Sequence, residues 1–128
     1  MFVRSVIAAI GLMFIASQSP ASADYAAYKA RQETLVRLAG LLGQTHHVRS
    51  LCVAEENEVW RRRMAKLLDL EDPPQKQRNA MVQAFNDGFY KARRAHAACT
   101  EDTRKAAARL GAEGRTLSNR LKADVQSN

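Results

Sequence analysis

From residue 24 onward, apolar residues recur at spacings of three and four, and nowhere do apolar and polar positions alternate over the length a strand needs. That pattern predicts an all-α chain of four helices. Tyr28, Leu35, Leu38, Ala39, Leu42 and His46 fall on one face at 100° per residue, which predicts a first helix from about Tyr25 to Arg49, with Gly43 expected to fray or bend it. A second begins after Glu55-Glu56-Asn57-Glu58, carries Trp60, Met64, Leu67 and Leu68 inward, and stops at Asp72-Pro73-Pro74. The third, about Pro74 to Ala98, has the cleanest stripe: Met81, Phe85, Gly88, Phe89, Ala92, His96 and Cys99. Thr100 is expected to cap the fourth, whose stripe is Ala106, Ala107, Leu110, Gly114, Leu117, Leu121 and Val125; Gln126-Ser127-Asn128 should fray. Gly114 is expected to admit a close neighbour, and Trp60 and Phe85 to anchor a core between helices two and three.

Short connections favour antiparallel neighbours, so the expected fold is a small up-down-up-down four-helix bundle. In that topology helices one and three end at the same end of the bundle, beside Cys52 and Cys99. A disulfide between the only two cysteines is therefore expected, and closing 47 residues of chain would contribute about 4 kcal/mol in the chain-entropy model.

The first 23 residues change the setting. Arg4 precedes an apolar run, Val6 to Ala16, and Ala21-Ser22-Ala23 offers small residues for cleavage ahead of Asp24: the pattern of a secretory signal peptide. The expected organisation is a signal at 1–23 and one helical domain at 24–128, placed in the periplasm or secreted. The apolar run is too short to span a bilayer, so no transmembrane segment is expected, and peripheral contact with a membrane surface is left open. Export also favours oxidised cysteines and argues against cytosolic work such as gene regulation, and with it against nucleic acid as a native partner.

Charge supplies the candidate surface. The formal net charge of +7 falls to +6 once Arg4 is removed with the signal, which points to anionic envelope material or an acidic protein. The residues expected to carry such binding are Arg61, Arg62, Arg63 and Lys66 on the second helix and Arg93 and Arg94, with Lys91, on the third. Arg104, Arg115 and Lys122 form a further set on one flank of the fourth.

Candidate chemistry is sparse. No nucleophile elbow, zinc-protease motif, phosphate loop or haem attachment sequence occurs, so no enzyme, no catalytic residue and no cofactor are expected. The carboxylate clusters Glu55-Glu56 and Asp69-Leu70-Glu71-Asp72 lie at helix ends and are expected to be solvated caps. The sharpest alternative is a metal-handling or metal-stabilised protein in which His46, His96 and the two cysteines form a zinc site, or His46, His47 and His96 a weaker copper or zinc contact. Unpaired ligand spacing and oxidation of the thiols both weigh against it.

Leu41-Leu42-Gly43, Leu51-Cys52, Trp60-Arg61 with Met64 and Leu67-Leu68, Phe85-Asn86 with Gly88-Phe89, Cys99, and Glu113-Gly114 before Leu117 together resemble an uncharacterised family of small exported two-cysteine alphaproteobacterial proteins, a domain of unknown function. The resemblance implies an envelope protein with a disulfide and assigns no activity, ligand or functional residue. The functional expectation is a non-enzymatic periplasmic helical module that binds an anionic envelope component or protein partner through its basic surface. Oligomeric state is left open by the sequence.

Overall fold

The structure, a computed structural model, describes residues 20–127. The expected signal peptide falls mostly on residues 1–19, outside the described residues; Pro20 to Ala23 form the exposed start of the first helix.

Four helices make up the fold: α1 (Pro20–Cys52), α2 (Val59–Glu71), α3 (Gln75–Ala95) and α4 (Glu101–Gln126), with a short 3-10 turn, Ala54–Glu56, between α1 and α2. Among the described residues there is no strand, and no helix is long and apolar enough to cross a membrane. Helix α1 is longer at both ends than its stripe predicts. Helix α3 is shorter: it ends at Ala95, so His96 to Cys99 form the connection rather than its last turn. Asp72, with φ of +38°, turns the chain out of α2 ahead of Pro73. Thr100 caps α4 as expected: its Oγ1 accepts from the backbone N–H of Thr103 at 3.2 Å, and Thr103 Oγ1 accepts from the Thr100 N–H at 3.3 Å. Thr103, wholly buried, also donates to the Ala98 carbonyl at 2.7 Å, which fixes the connection above it.

The helices run up, down, up and down. Gln77 reaches the Gln32 carbonyl and His47 the His96 carbonyl, so α3 runs with α1; Glu71 and Leu121 both meet Arg31, so α2 and α4 run against it. The seams differ from the expected ring, however. Helix α1 packs most broadly on α3, then on α4 and least on α2, while the outer three scarcely touch one another. Burial accordingly wraps around α1 between Thr34 and Val48, taking in Leu35, Leu38, Ala39, Leu41, Gly43, Thr45 and His46. An α-helix buried on nearly all sides is apolar or small on nearly all sides, which a single-stripe reading understates. The expected α2–α3 core is thus corrected: Met64 and Leu68 of α2 and Met81 and Ala92 of α3 are buried against a common α1, and Trp60 and Phe85 are only half-buried. Tyr28 and Val125, assigned to inner faces, are 53% and 65% exposed, because the ends of α1 and α4 have no third helix beside them.

Gly43 does not fray α1, which runs unbroken through it. A Cβ there would collide with the Phe85 carbonyl oxygen, and one at Gly88 would collide with the Gly40 carbonyl oxygen, so the pair sets the close crossing of α1 and α3. Gly114 meets a side chain instead: its Cβ position lies 3.2 Å from Leu41 Cδ2. At one end of the bundle Cys52 and Cys99 form the expected disulfide, with Cα atoms 4.9 Å apart and no free cysteine left.

Candidate functional site

Because α2 and α4 flank α1 without packing on each other, a trough of about 510 Å3 remains between them. Leu38, Leu41, Leu42 and Thr45 of α1 make its floor. Thr45 spends its hydroxyl on the Leu41 carbonyl, at 2.8 Å, so the floor is apolar in effect. One wall is Trp60, Arg63, Lys66, Leu67 and Leu70 of α2; the other is Leu110, Gly111, Gly114, Arg115, Ser118 and Asn119 of α4. Two glycines on one face keep the α4 wall low. At Gly111 a Cβ would meet only Arg115 Nη1, at 3.7 Å, so the space there is open.

Charge along the trough is one-signed. Arg63, Lys66 and Arg115 line it, no acidic residue does, and none of the three holds an ion pair among the described residues. Arg63, one helical turn after Trp60, lies 4.3 Å over the indole. Just beyond the disulfide end stands a carboxylate, Glu56. It accepts a fork from Arg49, with Nε at 2.8 Å and Nη2 on the other oxygen, and a third bond from Trp60 Nε1 at 3.0 Å. Those hydrogen bonds, first of all the one from Arg49, hold its pKa down at about 2, with the Arg49 and Arg63 charges adding to the effect. Glu56 is therefore ionised at neutral pH, but Arg49 and Trp60 already occupy it. At the opposite end Arg31 donates to both Glu71 oxygens at 2.9 Å and to the Leu121 carbonyl at 3.0 Å, tying α1 to α2 and α4.

The structure divides the sequence-predicted basic set. Arg63 and Lys66 enter the trough and are joined there by Arg115, from the set on α4. Arg61 is exposed and leans 3.7 Å from Glu58, and Arg62 is exposed. Arg93 and Arg94 are exposed on α3, which does not pack on α2, so they form a separate patch. Two of the carboxylates expected to be solvated caps, Glu56 and Glu71, are instead half-buried ion-pair partners. Arg31 and Arg49 had no place in the sequence-based site. Arg31 does carry a signal, since it lies on the Leu35, Leu38 and Leu42 face at i, i+4, i+7 and i+11, where a cation needs a partner.

The metal alternative is not assembled. The two sulfurs are bonded to each other, and no group of three or more His, Cys, Asp or Glu side chains able to hold an ion occurs among the described residues. His46 is buried between Phe85 and Phe89, ring centroids 6.0 and 5.3 Å away, and its Nδ1 has no hydrogen-bond partner among the described residues. Burial, and after it the Arg61 charge, lowers its pKa from 6.5, so it sits in the core as a neutral ring. His96 places Nδ1 3.5 Å from Thr103 Oγ1 and gives its backbone carbonyl to His47.

Residues 30–124 match the family described as "Protein of unknown function (DUF2385)", in line with the resemblance carried by the cysteines and the tryptophan segment. No curated protein and no solved structure matches the chain.

Proposed function

The chain belongs to this family of unknown function, and from that premise we propose that it is a non-enzymatic helical module that binds an anionic partner in the cell envelope through its basic surface. Its setting, export to the periplasm, is part of the proposal and rests on residues 1–23. One observation carries the reading: Arg63, Lys66 and Arg115, which hold no ion pair among the described residues, converge from two helices on a trough that none of the described acidic residues lines. An anion placed there would meet guanidinium donors beside a low-dielectric floor. The sequence carries no nucleophile elbow, zinc-protease motif or phosphate loop, which supports the non-enzymatic reading.

Retention of the oxidised protein on phosphatidylglycerol vesicles tests this. Retention should fall about tenfold between low and physiological salt, because exposed charges are screened over about 8 Å at 0.15 M. The double reversal Arg63→Glu, Lys66→Glu should remove most of it, and Arg62→Glu, Arg94→Glu a smaller part. Retention indifferent to salt and to both reversals would overturn the proposal.

A further inference from the structure

The shape of the trough narrows the partner, and the inference that follows rests on the anion-binding reading above. We infer that the trough takes a single-chain anionic amphiphile, with its carboxylate between Arg63 and Arg115 and its alkyl chain running along α1 toward Leu70.

The ends of the trough differ. At the disulfide end stand Arg63, Arg115 and the indole edge of Trp60; toward the other end lie Leu38, Leu67 and Leu70. Leu70 is 73% exposed, the most open large apolar side chain among the described residues, and with half-buried Leu67 it extends the apolar lining to that end of the trough. Trp60 to Leu70 spans ten residues of α2, a rise of about 15 Å, comparable with an extended dodecyl chain. Lys66, midway, can lay its methylenes on the chain and keep its ammonium in water.

Size separates this occupant from larger ones. A volume near 510 Å3 suits a small ligand, which fills pockets of about 300 to 1,000 Å3, whereas a docked helix about 10 Å wide needs a broader groove and a stable dimer a much larger contact. A flat bilayer surface would rest on the α2 and α4 walls without entering the trough, whose floor residues Leu38 and Leu41 lie buried below them. An inorganic anion would use the arginines and leave the apolar length empty.

The test is titration of the oxidised protein with monomeric dodecanoate, below the concentration at which it self-assembles, followed by Trp60 fluorescence and by calorimetry. Trp60 is the sole tryptophan and lines the trough, so uptake should give one saturable transition at one amphiphile per chain. Hexanoate and the uncharged dodecyl maltoside should each bind more weakly. Arg115→Gln, an exposed residue that does not stack on Trp60, should weaken binding about tenfold, the loss of one charge-assisted hydrogen bond. Gly111→Phe, which grows into open space over the trough and changes no charge, should abolish uptake while leaving helicity intact.

Vesicle retention without saturable dodecanoate uptake would overturn the amphiphile and keep the anion reading, with the bilayer surface as partner. A concentration-dependent dimer lost in Gly111→Phe, with no uptake, would overturn it in favour of a second copy of the chain. Loss of uptake and of retention together would remove both.

Discussion

His46 shows how one residue can look like a ligand and act as core. A histidine on an apolar face has two readings in sequence, and the decision comes from its surroundings: Phe85 and Phe89 flank the ring, and no described residue accepts from or donates to Nδ1. The protonated form is disfavoured in the folded state, so the unfolded chain binds more protons and stability must rise with pH. The sign is fixed by the lowered pKa: the penalty is absent above about 6.5 and grows as pH falls through that value. Melting temperature should therefore drop between about pH 7 and pH 5, and His46→Leu should flatten that limb and raise the stability at pH 5 by about 1 kcal/mol, since it also removes an unpaired buried nitrogen. An unchanged slope in the variant would show that the ring is not the titrating group. Glu56 acts in a separate window and in the same direction. Its depressed pKa gives stability that is present above about 4.5 and lost as pH falls toward about 2, so Glu56→Gln should flatten the acid limb only. This part of the molecule was half legible: the sequence places His46 on an inner face, but the Arg49–Glu56–Trp60 cluster joins positions across a turn whose geometry no periodicity encodes.

At the scale of the elements, glycine means different things at different positions. Gly43 and Gly88 each face a backbone carbonyl of the opposing helix, and there is no room for a methyl group. Gly43→Ala should therefore force α1 and α3 apart and cost about 3 kcal/mol, at the upper end for overpacking. Gly111→Ala should do the opposite, gaining up to about 1 kcal/mol of helix propensity, because its Cβ would stand in open space over the trough. Urea midpoints of the two variants check both signs, and equal effects would mean that the trough at Gly111 is filled. The helices themselves were legible from their stripes, the Asp72-Pro73-Pro74 stop and the Thr100 cap. Their pairing was not. A stripe says that a face is buried and is silent about what covers it, so an α2–α3 seam and a shared α1 are equally compatible with Trp60, Met64, Met81 and Phe85. The trough escaped for the same reason, since it exists only because α2 and α4 do not meet.

For the whole molecule, a central helix with three dependants implies uneven stability. Each outer helix is held through α1, and α2 has the least packing, with Met64 and Leu68 as its only buried residues. Helix α4 is anchored at one end by the capping box and the disulfide, and near the other by Arg31, which holds the Leu121 carbonyl and the Glu71 carboxylate together. Opening of α2 should therefore need less free energy than global unfolding, whereas α1 and α3 should open only with the whole chain. Native-state hydrogen exchange should find the amides of α2 exchanging first and those around Leu41 and Phe85 last. Reducing the disulfide should lower global stability by about 4 kcal/mol, since 47 residues of loop are released, and bring the slow amides down together. Arg31→Met should act differently, speeding exchange in the last turns of α2 and α4 while leaving the α1–α3 crossing protected, because it cuts the Glu71–Arg31–Leu121 tie across the far end of the trough and keeps the disulfide end intact. Uniform acceleration of every helix in Arg31→Met would mean that the bundle opens as one unit and that α1 is not its organising element.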